Sequence, residues 1–265
     1  MGDFAILLQT YNRMYYKTGE EFKEVSGYDL ERGWYPRVTK ILEIKSKPAL
    51  YKFYGELSSF DEGEIIKEKS ASEGTMVHEA CQAILLGQSP SIDPLIQPAV
   101  DAFVSFIDHT PIHTSADFIE RRIINHGERY TGTIDALALI NGNYGVLDIK
   151  TSQSIYRDYN LQTAAYMGAL EKQFPKLQTR WILRIDQAKE CSKCGASLRQ
   201  KGGRDKVRAG FGKGDPKCEH EWSEMKGSIE LKEFPYWQND YKAFLAAKKL
   251  WEWENDYWLR QIGYL

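Results

Sequence analysis

The stretch TGTIDALALINGNYGVLDIKTS, Thr131 to Ser152, decides the fold. Two apolar-rich runs flank Asn141-Gly142, a pair that favours the two-residue type I′ turn of a β-hairpin. With that turn Ile140 faces Asn143, and counting back sets Asp135 opposite Asp148 and Thr133 opposite Lys150. Like charges so placed repel across roughly 4.5–5.5 Å between Cβ atoms, so the pair requires a positive partner. Strand alternation turns Asp148 and Lys150 to one face and Leu147 and Ile149 to the other, with Asp135 joining the first face from across the hairpin. Two carboxylates and an ammonium together suit a hard divalent cation such as Mg²⁺, which takes oxygen ligands and keeps water in its remaining positions. Such a cation acidifies bound water and stabilises charge on a phosphoryl oxygen, and Lys150 can orient the water or neutralise the transition state. An isolated D-x-K is an ordinary solvated ion pair. The opposing aspartate, the turn and the flanking helical patterns set this one apart.

The chain has 265 residues, 42% of them hydrophobic, enough to bury a core without disulfides. No apolar run is long enough to span a membrane and no signal-peptide pattern opens the chain. Ile6 stands where a myristoylation signal has Ser or Thr. The expectation is a soluble, cytoplasmic protein with no membrane contact and a single domain over residues 1–265. The net charge of −2 excludes a histone-like bulk field, but charge is uneven. Arg37 to Lys52 is basic apart from Glu43, and Gln187 to Lys217 carries nine basic residues against three acidic ones.

Residues 1–34 have no clear period. "PRVTKIL" opens an apolar-periodic stretch, and Ser46 stands as an N-cap before "KPALYKFYGEL", with Pro48 near the helix start. Helices follow over about Asp61 to Leu86, through "PLIQPAVDAFVSFID", and from Tyr156 to Phe174, where Pro175 closes the last. "DFIERRIIN", "LQTRWILRID" and "GSIELKEF" are expected strands, and residues 236–261 a single long amphipathic helix. Strands clustered between helices predict an α/β fold with a mixed central sheet flanked by helices. Residues 199–217, rich in Gly and Lys, form the one low-complexity stretch.

Cys191, Cys194, Cys218 and His220 form C-x2-C-x23-C-x-H. That pattern favours tetrahedral Zn²⁺ over a disulfide, in an inserted zinc-ribbon-like segment over residues 187–226. The C-x-H half leaves Glu219 or Glu221 as alternative fourth ligands. Cys81, on one helix with His78, reads as a small buried hydrophobe. Gln162 and Tyr166 share a helix face at i, i+4, and Ala164, Ala165 and Ala169 let that helix approach the sheet. The aromatic residues from Trp237 to Trp258 have helical spacing and are expected in the core, the alternative being a platform for stacking bases.

"GTMVHEA", "GTIDAL", "LDIKTS" and "LQTAAY", in this order, resemble the His, Asp, D-x-K and Q-x-x-x-Y motifs of the PD-(D/E)XK nuclease superfamily in its RecB-like branch. "YPRVTKIL" is similar to the opening of the mitochondrial genome maintenance exonuclease family, and the likeness spans about Tyr35 to Leu170. It implies a restriction-endonuclease-like core and a Mg²⁺- or Mn²⁺-dependent deoxyribonuclease, an exonuclease on single-stranded DNA ends. His78, Asp135 and Asp148 would bind metal with help from the Ile149 carbonyl. Lys150 would be catalytic, Gln162 and Tyr166 would position DNA or the lysine, and Glu120 would stand behind them. Some RecB-like nucleases, CRISPR-adaptation exonucleases among them, hold an iron–sulfur cluster through one early and three late cysteines. Cys81 follows His78 here instead of preceding it, which favours zinc. The rival expectation is a nucleic-acid-binding protein with a relict nuclease fold. The sequence names no protein partner.

Overall fold

The computed structural model describes residues 16–45, 47–209 and 217–265. In chain order it contains α1 (Gly19–Ser26), β1 (Gly27–Leu30), β2 (Gly33–Pro36), α2 (Val38–Ile41), α3 (Pro48–Gly55), α4 (Phe60–Leu85), α5 (Gln97–His109), β3 (Ile112–His113), β4 (Ile119–Asn125), β5 (Tyr130–Ile140) and β6 (Asn143–Lys150). After these come α6 (Asp158–Leu170), β7 (Thr179–Glu190), β8 (Ser197–Lys201), β9 (Arg204–Arg208), β10 (Lys226–Glu233), α7 (Gln238–Glu254) and α8 (Asp256–Gln261). The class is α/β, with a mixed central sheet flanked by helices.

The β5–β6 hairpin sits in the middle of that sheet. Asn141 and Gly142 both take positive φ, 51° and 80°, as a type I′ turn requires. The expected register holds from Ile140↔Asn143 to Ala136↔Leu147 and stops there. Neither Asp135–Asp148 nor Thr133–Lys150 becomes a ladder pair, so the two aspartates part instead of facing each other in register. β4 and β3 pair with the far edge of β5. β7 runs parallel to β6, which needs a crossover, and α6 supplies it. β10 closes the other side of β7 antiparallel.

Each face of the sheet carries its own core. On one, α1, α2, α6, α7 and α8 bury Phe22, Val38, Tyr166, Phe244, Trp251 and Trp258 against Ile134, Leu137 and Val146. On the other, α4 and α5 bury Val77, Cys81, Val100 and Phe103 against Ala136, Ala138, Leu147 and Ile149. Arg180 on β7 is fully buried and ties the first layer together. It donates to the Phe234 carbonyl at 3.1 Å and the Thr163 hydroxyl at 3.3 Å, and it pairs with Asp240 on α7. Helix α6 is thereby fixed over the sheet.

Several expectations change. The terminal helix breaks at Asn255 into α7 and α8. Its aromatics are mostly core, although Trp253 is 72% exposed. The Gly- and Lys-rich stretch is not featureless, because β8 and β9 form a hairpin whose turn residues Gly202 and Gly203 have φ of 66° and 75°. β7 continues to Glu190 and β10 starts at Lys226, so the inserted segment is residues 191–225 and not 187–226. Ser46 lies outside the described residues, as does Ile6, and Lys47 holds the N-cap position without a side-chain bond. Among the described residues no helix is long and apolar enough to cross a membrane.

Candidate active site

The strands part at Asp135 because β5 turns over there. Ile134 belongs to one core and Ala136 to the other, although residues two apart on a regular strand share a face. Opposite, Glu120 interrupts the β4 ladder between Ile119↔Ala136 and Arg121↔Ile134 and takes a φ of 49°. Positive φ is strained for a glutamate and such outliers concentrate at functional sites. The turnover carries the Asp135 side chain toward α4, the layer the alternation rule assigns to the opposite face. Its Oδ2 accepts the Ile149 N–H at 2.6 Å, so a side chain takes the place of a ladder acceptor. Its Oδ1 lies 3.6 Å from His78 Nδ1 on α4.

Asp148 and Lys150 project to the α6 side, as alternation predicts. Lys150 Nζ donates to Asp148 Oδ1 at 2.8 Å and lies 5.3 Å from the centre of the Tyr159 ring. Gln162 Nε2 stands 3.4 Å from the same Oδ1 and donates to the Tyr166 hydroxyl at 2.7 Å. Tyr166 is buried, packed where Gly132 leaves room: a Cβ there would come within 2.7 Å of its ring. Tyr166 therefore positions Gln162, which positions Asp148; neither reaches Lys150, and Tyr166 is closed to DNA. Gly74 serves a similar end on α4, since a Cβ there would meet Thr151 Oγ1 at 2.8 Å.

Asp148 is 1% exposed. Burial pushes its carboxyl up to about 6, against the pull of Lys150 and with Asp135 adding to the rise. Burial also opposes ionisation of Asp135, but the His78 ring, Lys150 and the Ile149 N–H together hold it below the ordinary carboxylate range. Burial disfavours the Lys150 ammonium, and the two aspartates outweigh that and raise it. At neutral pH these three groups sum to one negative charge. Asp148 Oδ2 lies 2.7 Å from Lys150 Nζ yet takes no well-aligned hydrogen bond and is buried. A buried carboxylate oxygen whose close partner is a single, poorly aligned ammonium keeps unfilled lone pairs. Beside it are a second carboxylate and an imidazole, so the donor set fits a divalent cation.

Two clefts reach this centre. One, about 580 Å³, is lined by Gly74, His78, Glu79, Gln82, Glu120 and Thr151. Glu120 faces it and accepts from Gln82. The other, about 590 Å³, is lined by Lys45, Lys47, Phe53, Tyr156, Tyr159 and Gln162 among others. Tyr159 was missed by the sequence reading, although its spacing to Gln162 and Tyr166 puts all three on one helix face. A larger cavity, about 810 Å³, lies away from these groups beside Asn125, Trp237 and Tyr241.

The cysteine cluster is a separate centre. The ligand atoms of Cys191, Cys194, Cys218 and His220 all lie within 4.8 Å of one another, with Cys191–Cys218 at 3.9 Å and Cys194–His220 at 3.4 Å. Tetrahedral Zn²⁺ with three thiolates and an imidazole spaces its ligands by roughly 3.5–3.8 Å. A metal such as zinc fits. His220, and neither Glu219 nor Glu221, belongs to the group with ligand spacing, and Glu221 pairs with Lys193 at 2.7 Å. The Cys191–Gly195 turn is closed by the Gly195 N–H on the Cys191 carbonyl, with Gly195 at φ 67°. Desolvation opposes the Cys191 thiolate, but N–H donors and His220 bring its pKa down to about 6; desolvation and the two neighbouring sulfurs push Cys218 up to about 12. A dication relieves that crowding. Cys81 is fully buried on α4, its thiol pushed up to about 12 by burial, and stands apart from the cluster as expected.

In the inserted segment, hereafter the arm, three basic residues turn inward, whereas Lys193, Lys206, Arg208 and Lys217 are exposed. Arg199 forks onto Asp186 at 2.7 and 2.9 Å, Arg204 pairs with Glu56 at 3.0 Å, and Lys201 donates to the Thr151 carbonyl at 2.6 Å. No family model matches the chain, and no curated protein matches it.

Proposed function

We propose that this chain is a divalent-metal-dependent deoxyribonuclease of the PD-(D/E)XK superfamily, an exonuclease of the RecB-like branch acting on single-stranded ends. The observation that carries the reading is Asp148: a buried carboxylate with one oxygen lacking an aligned donor, at the carboxyl end of a parallel strand, beside Asp135, His78 and Lys150. His78, Asp135, Asp148 and the Ile149 carbonyl would hold Mg²⁺ or Mn²⁺. When bound, the cation supplies Lewis-acid stabilisation of charge on the phosphoryl oxygens and acidifies water.

The protein's own groups do the rest. Gln162 and Tyr166 hold the Asp148 carboxylate in one orientation, and the Ile149 N–H holds Asp135. Lys150 is fixed by Asp148 with its ammonium directed at the centre, where it orients the attacking water or offsets the charge that develops on phosphorus-bound oxygen. Water adds to phosphorus, the bond to the leaving oxygen breaks, and a phosphomonoester and a hydroxyl result. Lys45, Lys47, Tyr156 and Phe53 in the adjoining cleft suit a backbone phosphate and unstacked bases. In this reading the cluster in the inserted segment holds a structural Zn²⁺.

The test is incubation of end-labelled single- and double-stranded DNA with the protein in Mg²⁺, in Mn²⁺ or in EDTA. Metal-dependent shortening of single strands from an end is expected. Binding without cleavage under every metal would favour a nucleic-acid-binding protein that has lost catalysis, and RNA cleavage in place of DNA cleavage would reassign the substrate.

A further inference from the structure

An insertion between two strands ordinarily projects from the sheet and touches little else. This one doubles back. The β8–β9 hairpin lies against α4, where the Gly202 N–H donates to Glu73 Oε1 at 2.9 Å. A Cβ on Gly202 would come within 2.4 Å of the Ile66 carbonyl oxygen and 2.2 Å of Ser70 Oγ, so the turn touches the helix through bare backbone. Arg204 fastens the same turn to Glu56 at 3.0 Å. Between these attachments Lys201 donates to the Thr151 carbonyl at 2.6 Å.

Thr151 follows Lys150 and is the first residue beyond the end of β6. A carbonyl leaving a sheet edge has no ladder partner and needs a donor. On the α4 side Gly74 leaves room for the Thr151 side chain, since a Cβ there would lie 2.8 Å from its Oγ1. From the arm side the only contact that satisfies the Thr151 carbonyl among the described residues is Lys201. We propose that Lys201 is a positioning residue for the active centre, and that the Cys3His arm is a strap whose metal keeps it in place.

The connection runs through named bonds. Cys191 N–H donates to the Ala196 carbonyl at 2.8 Å, which starts β8. The Arg199–Asp186 fork then anchors β8 to β7 two residues before Lys201. The arm buries Ala196 and Leu198 and little else that is apolar, so its fold depends on the metal. Losing that metal releases Lys201, frees the Thr151 carbonyl and loosens the Lys150 end of β6. The catalytic consequence rests on the nuclease reading; the structural coupling does not.

The experiment combines peptide-resolved amide hydrogen exchange with steady-state cleavage on the full chain. The samples are wild type, Lys201→Met and Lys201→Arg, each loaded with Zn²⁺, together with wild type stripped of Zn²⁺. Exchange is read without Mg²⁺ or Mn²⁺. Lys201→Met is expected to deprotect residues 151–154 and to lower kcat about 10-fold with KM unchanged, the size typical of lost support behind a metal site. Lys201→Arg, which still donates, should restore both. Stripping Zn²⁺ should deprotect the same residues without any mutation, which keeps the test decisive should Lys201→Met fold poorly. Unchanged exchange at 151–154 in Zn²⁺-free wild type, or an arginine variant no better than methionine, overturns the strap. A wild type that cleaves nothing overturns the nuclease reading alone, and exchange still decides the coupling.

Discussion

Two hairpins in this molecule turn through residue pairs with positive φ, and they hold their shape for opposite reasons. β5–β6 turns at Asn141-Gly142 in the centre of the sheet, with Leu137, Val146, Leu147 and Ile149 buried against helices on both faces. β8–β9 turns at Gly202-Gly203 on the surface of α4, with Leu198 its one buried apolar side chain. The first is fixed by its core, so it can hold a strained set of charges where the ladder opens. The second is fixed by polar attachments and by a ligand set with the spacing of a metal site. Catalytic geometry belongs on the first kind of element and conditional stability on the second.

The largest expected effect breaks the first hairpin's chemistry without touching its shape. Asp148→Asn keeps the volume and removes one charge from the centre. Cleavage should fall by more than about 10³-fold, while thermal stability holds, because the lost carboxylate was already disfavoured by burial. Lys150→Ala should lower kcat by a comparable amount with little change in metal affinity. Wild-type turnover in the Asp148 variant, at saturating Mn²⁺, would remove these residues from the active site.

The next effect is confined to the second hairpin. The purified protein should hold about one tightly bound Zn²⁺ per chain and be colourless. Cys191→Ser with Cys194→Ser should release it and unfold residues 191–225, while the sheet and both cores survive. Iron with acid-labile sulfide, or no metal, on elemental analysis would mean that the arm is not a zinc module.

The same contrast governs how much the sequence disclosed. The β5–β6 register followed from one turn dipeptide and two apolar runs, and Asp148, Lys150 and Gln162 followed from strand and helix periods. The departure of Asp135 from that face did not, since it depends on the backbone of Glu120 on a neighbouring strand. Lys201 was equally hidden. It lies 50 residues from Thr151 in a Gly- and Lys-rich stretch with no period of its own, and only the folded arm brings the two together. The count of basic residues in that stretch likewise gave no hint that Arg199, Arg204 and Lys201 are held by Asp186, Glu56 and Thr151. The bond from the Ile149 N–H to Asp135 was hidden for the same reason.

A smaller effect concerns pH. Protons and metal compete for Asp148, whose pKa is raised to about 6. Below pH 6 the half-saturating Mn²⁺ concentration should rise about tenfold per pH unit, and above it the dependence should flatten. The sign for stability is the reverse. A carboxyl raised in the fold stabilises it at low pH, and that contribution is lost as pH rises from the ordinary carboxylate value through about 6. Metal-free protein should therefore lose stability over that window, and Mn²⁺ should restore it. A break near the ordinary carboxylate value would show that Asp148 is not the ligand that titrates.

The smallest effect separates the two turns most cleanly. Gly142→Ala introduces a Cβ into open space at φ 80°, so its cost is conformational alone, about 1 kcal/mol. It should lower the unfolding midpoint slightly and leave kcat and the exchange of residues 151–154 unchanged, because the core on both sides holds the register. Gly202→Ala has the same unfavourable φ but drives its Cβ into the Ile66 carbonyl and Ser70. Flexible ends can move aside, but helix backbone cannot, so the hairpin must lift from α4 and draw Lys201 with it. Global unfolding should again shift little, since the arm adds little to either core. Exchange at 151–154 should rise toward that of the Zn²⁺-free protein. One substitution in two turns of like geometry then gives a stability change without a site change in the first, and a site change with little stability change in the second. Equal behaviour of the two variants would mean that the arm rests on α4 without holding anything.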